Sequence, residues 1–455
     1  MNKIKGKSQA THVGVALCAI CVAVVSCGLR ADDHYNNKTF SASETTSGKV
    51  YIGHASATDG GSASDALVTV ANGATWTAEG NVYVGNSAGT SRLVIDEGGT
   101  LYGNDSTTLF VGETGGGFAC VTNCGTLNVR YLYFGDQNGG ASTSRLDNFG
   151  SAVARYGFSM GERSATTSEA VLHNHVGASL SIERGSQYDF YLGGRSPARL
   201  VNEGTITCKN GTHVRIGGAL TSTGTGVLVM TNSGSLLSGS TVLLGRVNNG
   251  RGRIEMYNQS SFDGASRNAT VNMGGESGNS GIAEIILADS SSFSCKTLNI
   301  GSGKSSTASI TMKDDSTLSF QGDLEVAKSQ NSTGSFILEN HSKADFPTNV
   351  HLGVGISSVG TFGLAGATAL TFTKDIHFGC AAGATGILDL DGTAKMTFPD
   401  DFVVENYEAG ASACVRMGGD SSLVVDGRLL VGKSSGHGGE VLLESNATVC
   451  VNGSL

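Results

Sequence analysis

The sequence Val50-Tyr51-Ile52-Gly53 has the pattern apolar residue, any residue, apolar residue, glycine, and this pattern recurs along almost the whole chain. The 14 intervals between Gly53 and Gly432 average about 27 residues, a spacing that is typical of solenoid repeats. The regular returns therefore predict one repetitive solenoid and not a series of globular domains. The pattern returns with glycine at positions 85, 112, 135, 161, 193, 217, 245, 274, 301, 353, 379 and 432, and with Ala327 and Glu405 in the glycine position.

A single repeat, residues 93–112, contains three short apolar segments that predict three strands per turn. Leu93-Val94-Ile95 is followed by a polar turn, then by Thr100-Leu101-Tyr102 and by Leu109-Phe110-Val111. The turn after the first strand usually begins with Asn or Asp followed by Gly or Ser, which tolerate left-handed backbone. We expect Asn side chains at equivalent corners to form a hydrogen-bonded ladder along the axis. Examples are Asn72-Gly73, Asn202-Glu203-Gly204, Asn232-Ser233-Gly234, Asp289-Ser290-Ser291 and Asp391-Gly392.

The third strand of the repeat indicates which side chains face inward. Its flanking positions are apolar while its middle position accepts any residue, as in Val214-Arg215-Ile216, Leu324-Glu325-Val326 and Ile376-His377-Phe378. Alternate residues of a strand point to opposite sides, so the flanking residues face a common core. The pattern predicts an all-β protein, a parallel β-helix (solenoid) of about 15 coils stacked about 4.8 Å apart into a rod of about 67 Å.

The composition agrees with a single elongated repeat domain. Glycine accounts for 67 of 455 residues and proline for only 3, so glycine is about twice as frequent as usual. After residue 35 the sequence shows no convincing helical period, and we expect almost no helix there. The predicted organisation is an export signal at 1–31, a lead-in or cap at 32–48, and a repeat domain at 49–455.

The amino terminus has the features of a secretory signal. Lys3, Lys5 and Lys7 precede an apolar run from residue 13 to residue 25 that is too short to span a membrane. The segment Leu29-Arg30-Ala31 resembles an ordinary signal-peptidase site, and cleavage after Ala31 is the favoured prediction. The alternative is a bacterial lipobox ending at Cys27, whose lipid would tether the protein to a membrane.

Charge and cysteine content argue against some partners and against a disulfide-rich fold. Removal of residues 1–31 leaves 26 basic and 39 acidic residues, a formal charge of about −13, which disfavours nucleic-acid and anionic-membrane partners. An odd, scattered set of seven cysteines then remains and does not form a disulfide framework. Cys120 and Cys124 flank a turn and are spaced for a local bridge, whereas the simpler interpretation places Cys120 and Cys414 at apolar strand positions. The seven cysteines are at positions 120, 124, 208, 295, 380, 414 and 450.

The sequence predicts no catalytic, cofactor-binding or metal-binding residues. His173 and His175 form its only close histidine pair, and their spacing puts both rings on one side of a strand, but no third ligand is evident. Asp389 and Asp391 have period-two spacing within one coil, and Asp391-Gly392 is this coil's version of the usual turn. The zinc-protease motif HExxH does not occur in the sequence, and the abundance of glycine makes loose glycine patterns uninformative as signals of nucleotide binding.

One column of outward residues is a candidate binding site. The middle position of the third strand is aromatic in five of six successive coils, with Ser159 as the exception. We expect an exposed aromatic strip with rings about 4.8 Å apart, which permits offset stacking. Such a strip either docks sugar rings or a partner protein, or it only stiffens the sheet. Its residues are Tyr51, Tyr83, Phe110, Tyr133 and Tyr191.

An export signal followed by coils rich in Gly, Ser, Thr and Asn, with copies such as Gly80-Asn81-Val82-Tyr83-Val84-Gly85, resembles the passenger region of bacterial autotransporters. The resemblance covers about residues 45 to 455 and rests on repeat style. It implies a right-handed β-helix displayed on the cell surface, with glycans or proteins of a host or neighbouring cell as partners. Autotransporters end in a membrane barrel, whereas this chain stops at Leu455 inside a coil, so we expect either a continuation beyond Leu455 or a free-standing or lipid-tethered relative.

These features predict an exported, non-enzymatic surface rod that acts as an adhesin, an interaction protein or a structural spacer. The alternative is a polysaccharide-active enzyme, a lyase or glycoside hydrolase, because pectin-degrading enzymes also use parallel β-helices with acidic groups clustered on one face.

Overall fold

A computed structural model describes residues 32–54, 65–85, 89–112, 117–135, 143–161, 169–183, 190–218, 224–276, 278–432 and 437–453. These residues form a β-solenoid of about 14 turns with three strands per turn, and every strand pairing among them is parallel (for example between Glu169–Asn174 and Ala198–Asn202). The predicted fold class is therefore confirmed. The predicted signal, with Ala31 and Cys27, lies outside the described residues.

The first strand of each coil belongs to one continuous sheet of 16 strands, here called the long-strand sheet. Its strands are Asn37–Phe40, Asp65–Val70, Thr90–Ile95, Phe118–Asn123, Thr143–Asn148, Glu169–Asn174, Ala198–Asn202, Thr225–Met230, Arg251–Met256, Ile282–Leu287, Thr307–Met312, Thr333–Glu339, Val359–Ala365, Thr385–Leu390, Ser412–Met417 and Glu440–Leu443.

The second and third strands of the coils form two columns that share one sheet of 24 strands. Two long strands, Thr126–Phe134 and Ser151–Met160, run through both columns. The other second-column strands are Glu44–Thr46, Thr75–Ala78, Thr100–Gly103, Ser179–Ile182, Thr205–Cys208, Ser235–Leu237, Ser261–Asp263, Ser292–Ser294, Thr317–Ser319 and Lys343–Asp345. The other third-column strands are Asp33–Tyr35, Val50–Ile52, Val82–Val84, Thr108–Val111, Phe190–Leu192, His213–Ile216, Thr241–Leu244, Thr270–Met273, Thr297–Ile300, Leu324–Val326, Val350–Leu352 and Ile376–Phe378.

Both columns are interrupted near the carboxyl end of the described chain. The second column continues in a separate sheet of four strands, and the third in a sheet of two. The single helix among the described residues is a 3₁₀ turn, Ala265–Arg267. The four-stranded sheet contains Ala369–Thr371, Lys395–Phe398, Ser422–Val425 and Thr448–Val451. The two-stranded sheet contains Phe402–Val404 and Leu429–Val431.

Strand pairing begins before the predicted start of the repeat domain. Asp33–Tyr35 pairs with Val50–Ile52, and Asn37–Phe40 pairs with residues 67–70 of the long-strand sheet. The segment predicted as a lead-in thus contributes strands to all three columns.

The recurring glycine has a conformational cause. All 13 glycines of the pattern have a positive φ between 52° and 89°, a region that L-residues with a Cβ avoid. Ala327 occupies the same position with a φ of 59°, so the backbone geometry is kept where the glycine is lost. The pattern therefore marks the point at which each coil bends out of its third strand.

The core is a column of inward side chains stacked coil upon coil. Inward residues such as Val82, Val84 and Leu93 are fully buried, as the third-strand pattern predicts. Phe262 and Phe293 stack with ring centroids 4.3 Å apart. Trp76 stacks on Phe40 at 4.6 Å, and its indole nitrogen donates to Thr46 Oγ1 at 3.0 Å. Phe262 and Phe293 are in register in adjacent coils, whereas Phe40 and Trp76 belong to different strand columns and meet across the core.

An asparagine ladder lies inside the rod, at the end of four successive strands of the long-strand sheet. The Nδ2 atom of each residue donates to the Oδ1 atom of the next at 2.7, 2.7 and 2.8 Å, and the side chains are buried. The predicted ladder exists, but Asn202 is its only member among the turn residues quoted above. The four members are Asn123, Asn148, Asn174 and Asn202.

The repeat is broken where Glu405 replaces the glycine. The strand Phe402–Val404 has no ladder pairing to Ile376–Phe378 in the preceding coil, and one isolated bridge joins Phe378 to Asn406. A gap of about 260 Å³ lies between these coils and is lined by His377, Glu405 and other residues. The loss of the glycine and the opening of the sheet therefore coincide.

The seven cysteines of the described region are all free thiols, so the local bridge between Cys120 and Cys124 is absent. Cys414 is buried, but Cys120 is half-buried and faces outward in register with Arg92 and Arg145. The expectation that Cys120 fills an apolar strand position is therefore wrong.

Candidate functional site: an aromatic strip and its arginine extension

The predicted aromatic residues lie in one column of the third strands. Tyr51 is in register with Tyr83, Tyr83 with Phe110, and Phe110 with Tyr133. Ser159 follows Tyr133, and Tyr191 follows Ser159. Pairing between adjacent coils thus brings these residues together as the spacing predicts, except that Ser159 separates Tyr191 from the rest.

The rings of this aromatic strip stack on one another. The ring centroids of Tyr51 and Tyr83 are 4.8 Å apart and those of Tyr83 and Phe110 are 4.9 Å apart, with planes within 10°. His34 extends the stack at 5.1 Å from Tyr51. Tyr133 is tilted by 59° against Phe110 at 5.6 Å, so the regular stack ends there.

Stacking removes most of the exposure that the sequence predicts. Tyr83 and Phe110 are only 7% exposed, while Tyr51, Tyr133 and Tyr191 are half-buried. The prediction of exposed rings is wrong for Tyr83 and Phe110, because each ring lies between aromatic rings of the two adjacent coils. A sugar ring therefore has no free face at these two positions, and the hydroxyl of Tyr83 accepts a hydrogen bond from Asn81 at 3.2 Å.

A second aromatic cluster, which the sequence analysis missed, adjoins the strip at Tyr133. Tyr131 lies 5.5 Å from Tyr133 and 5.8 Å from Tyr156. The guanidinium of Arg130 lies over the rings of Tyr131 and Tyr156, at 4.9 and 4.7 Å. The register of Thr126–Phe134 shifts between Val129 and Tyr131, and this irregularity places consecutive side chains on the outer surface.

Arg155 connects this cluster to an exposed tyrosine two coils away. Its guanidinium lies 5.3 Å from the ring of Tyr102 and donates to the carbonyl oxygens of Gly103 and Asn104 at 2.5 and 2.6 Å. Tyr102 is 40% exposed. Tyr102, Arg130, Tyr131, Arg155 and Tyr156 are called the tyrosine–arginine patch below. The signal that could have indicated it is the sequence Arg130-Tyr131 and its counterpart Arg155-Tyr156 about one repeat later.

Tyr191 also has an arginine neighbour. The guanidinium of Arg215, which is in register with Tyr191, lies 5.1 Å from the tyrosine ring and donates a hydrogen bond to its hydroxyl. Cation–π pairing is therefore repeated beyond Ser159, although the ring stack itself is not.

Asp389 combines two features of a catalytic acid, a raised pKa and a place in a surface depression. It lines a depression of about 250 Å³ with Asp391, Arg416, Glu444 and others. Burial raises the pKa of Asp389, Arg416 opposes this shift, and Asp391 and Glu444 add to it, so that the net pKa lies above the ordinary value. Asp391 Oδ1 accepts the backbone N–H of Gly392 at 2.8 Å, as expected of a turn residue.

No protein-family model matches this chain, and no curated protein or solved structure is significantly similar to it. Among the residues that the structure describes, none belongs to a helix long and apolar enough to cross a membrane. The resemblance to autotransporter passengers therefore remains one of repeat style.

Proposed function

We propose that this chain is an exported, non-enzymatic β-solenoid that acts at the cell surface as an interaction protein or spacer. The observation that supports the proposal best is the tyrosine–arginine patch beside the aromatic strip. Tyrosine and arginine are enriched in the cores of protein interfaces and in hot spots. From Tyr51 to Tyr156 the aromatic surface crosses four coil intervals, about 19 Å at about 4.8 Å per coil.

The strip and the patch have different roles in this proposal. The strip stiffens the rod, because its rings cover one another and Tyr83 and Phe110 are buried. The patch supplies the contact surface, since Tyr102 is exposed and two guanidinium groups lie among its rings. A partner that uses both features has apolar or sugar-ring surfaces together with acidic or hydroxyl groups.

Binding is tested by retention of the purified rod on immobilised glycans and on intact host or neighbouring cells. We expect the wild type to be retained and the double variant Tyr102→Ser/Tyr156→Ser to be retained at least tenfold less. Tyr407→Ser is the matched control, because Tyr407 is 63% exposed and lies outside the patch. Equal retention of the double variant and the wild type, with both rods folded, would remove the patch as the contact surface.

The second candidate function, polysaccharide cleavage, is supported by the raised pKa of Asp389 in its depression. A half-buried acid with a raised pKa suits a general acid. Incubation with plant and host glycans separates the two functions, because binding gives retention without new reducing ends. New reducing ends that disappear in Asp389→Asn would support the enzyme and overturn the non-enzymatic proposal.

Export is tested on the native polypeptide from cell envelopes. A mature chain that begins at Asp32 supports cleavage after Ala31, and a lipid-modified amino terminus at Cys27 supports the tethered alternative. A native chain that retains Met1 and residues 2–31 would contradict export through this signal.

A further inference from the structure

His173 and His175 lie side by side on the outer surface of the rod. The strand Glu169–Asn174 contains His173, and His175 is the first residue after it. The ring centroids are 3.6 Å apart and the planes are inclined by 30°. Asn174, between them, points inward and belongs to the buried ladder, which fixes the two histidines on the opposite side.

The preceding coil supplies a third polar group. Asp147 is in register with His173, and its Oδ1 lies 3.4 Å from Nε2 of His175. One ligand atom from each of Asp147, His173 and His175 lies within 4.8 Å of the other two. This is the single group of three or more such side chains among the described residues that approach so closely.

Neighbouring side chains orient this cluster. The ring of Phe149 stacks on that of His175 at 3.8 Å. Glu203 Oε2 lies 3.0 Å from Nε2 of His173. Arg145 donates to both carboxylate oxygens of Asp147, at 2.6 and 2.9 Å. The four ionisable side chains of Asp147, His173, His175 and Glu203 are between 14% and 27% exposed, so an ion from solvent can reach them.

We propose that Asp147, His173 and His175 bind one transition-metal cation, with Zn²⁺ and Cu²⁺ as the ions that this ligand set favours. Imidazole nitrogen together with a carboxylate oxygen suits these metals, whereas Ca²⁺ and Mg²⁺ prefer oxygen alone. Tetrahedral Zn²⁺ with bonds of about 2.1 Å requires ligand atoms about 3.4 Å apart. The ligand atoms of Asp147 and His175 are already 3.4 Å apart. The other pairs lie within 4.8 Å and approach by at most about 1.4 Å when the ion binds, and Glu203 or water takes a remaining position.

Arg145 competes with the metal, because its guanidinium is paired with the carboxylate of Asp147 that the metal needs as a ligand. The guanidinium is about half exposed and can swing into solvent. The site joins the adjacent strands Thr143–Asn148 and Glu169–Asn174, so a bound ion links two coils and raises the melting temperature of the rod. The aromatic strip and the patch contribute no ligand, and the inference is independent of the proposed function.

The test is calorimetric titration of the tag-free full chain with ZnCl₂. We expect one ion per chain, at least tenfold weaker binding in His173→Gln, His175→Gln and Asp147→Asn, and tighter binding in Arg145→Gln. His351→Gln is the matched control, because His351 and His377 also stack, at 4.7 Å. Circular dichroism checks that each variant is folded. Unchanged affinity in the three ligand variants, or loss of binding in His351→Gln instead, would overturn the assignment.

Electron paramagnetic resonance of the wild type with one equivalent of Cu²⁺ gives a result that does not depend on variants. Coupling of the copper electron to two imidazole nitrogens is expected. A spectrum with no nitrogen coupling, or with the coupling of free Cu²⁺ in buffer, would contradict the site even if every variant failed to fold.

Discussion

The side-chain amide of Asn148 donates a hydrogen bond of 2.7 Å to Oδ1 of Asn174 in the next coil, inside the rod and out of contact with water. The second amide proton of Asn148 goes to the carbonyl oxygen of Ser179 at 2.9 Å. Asn148 also accepts a bond from Asn123, whose own Oδ1 has no hydrogen-bond partner. The ladder thus has a direction and a defined first member, because donation runs from Asn123 toward Asn202.

We expect Asn148→Leu to destabilise the rod more than Asn123→Leu. The first change leaves a buried donor on Asn123 and a buried acceptor on Asn174, each of which costs about 1–3 kcal/mol. The second leaves the Oδ1 atom of Asn148 without its donor. Each change also removes one bond to a backbone carbonyl oxygen, that of Ser179 or that of Ser151, so this loss is common to both variants. The expected losses are about 2–6 and about 1–3 kcal/mol in the free energy of unfolding, measured by urea denaturation.

Met256→Leu is the control for the ladder, because Met256 lies at the same strand end in a coil that has no Asn there. It should cost less than about 1.5 kcal/mol, since the volume is nearly conserved. Equal effects of Asn148→Leu and Asn123→Leu would show that the ladder's hydrogen bonds do not determine stability at this corner.

We expect Ala327→Gly to stabilise the rod and Gly353→Ala to destabilise it. Ala327 has a φ of 59°, and left-handed backbone costs an L-residue about 1–2 kcal/mol. Part of this gain is offset because glycine is more flexible when unfolded, which leaves a net gain of up to about 1 kcal/mol. At Gly353 a Cβ would lie 2.6 Å from the carbonyl oxygen of Thr385. Thermal unfolding of both variants gives the comparison, and a lower melting temperature for Ala327→Gly would contradict the account of the recurring glycine.

The fold is predictable from the sequence because the recurring glycine reports a backbone conformation that recurs in every coil. Residues that are neighbours in adjacent coils of the long-strand sheet are harder to predict. The reason is that the number of residues between the glycine and the first strand varies from coil to coil. Asn123, Asn148, Asn174 and Asn202 lie 11, 13, 13 and 9 residues after their preceding glycines, so fixed spacing does not align them.

Asp147 and His173 show what the sequence does contain. Each lies 12 residues after its glycine, at 135 and 161, and the two are in register. Aligning the first strands by their distance from the preceding glycine would therefore have placed Asp147 beside the histidine pair. The burial of Tyr83 has no such signal, because it depends on how neighbouring rings stack and not on its own repeat.

Tyr83 tests whether the aromatic strip supports the fold. We expect Tyr83→Ser to lower the free energy of unfolding by about 3 kcal/mol or more, as for other large buried aromatic residues. Tyr83→Phe keeps the ring between Tyr51 and Phe110 and loses the bond from Asn81, at about 1 kcal/mol. Urea denaturation measures both, and a loss below about 0.5 kcal/mol in Tyr83→Ser would rule out the stiffening role.

His377 should make the rod less stable in mild acid. Burial lowers the pKa of His377, and His351 lowers it further, against the opposing effect of Asp375 and Asp323. Its folded-state pKa is thus below the unfolded value of about 6.5. As the pH falls through 6.5, the unfolded chain takes up this proton first, so stability is lost between 6.5 and the folded-state pKa.

The check is the urea midpoint at pH 7.5 and at pH 5.5 for the wild type and for His377→Gln. The midpoint of the variant should fall less on acidification. His213→Gln, at the beginning of the strand His213–Ile216, is the control and should follow the wild type. An equal fall in His377→Gln would show that other groups cause the acid sensitivity.

The cysteines should differ sharply in reactivity. Burial raises the pKa of Cys295 to about 12 and that of Cys380 to about 11, and the thiolate is the reactive form. Cys208 is buried, whereas Cys450 is exposed. Brief treatment of the native rod with iodoacetamide at pH 8, followed by peptide mapping, should find Cys450 modified and Cys208 and Cys295 intact. In urea all of these cysteines should react, because unfolding exposes them. Early modification of Cys295 in the native rod would mean that the core opens at that coil.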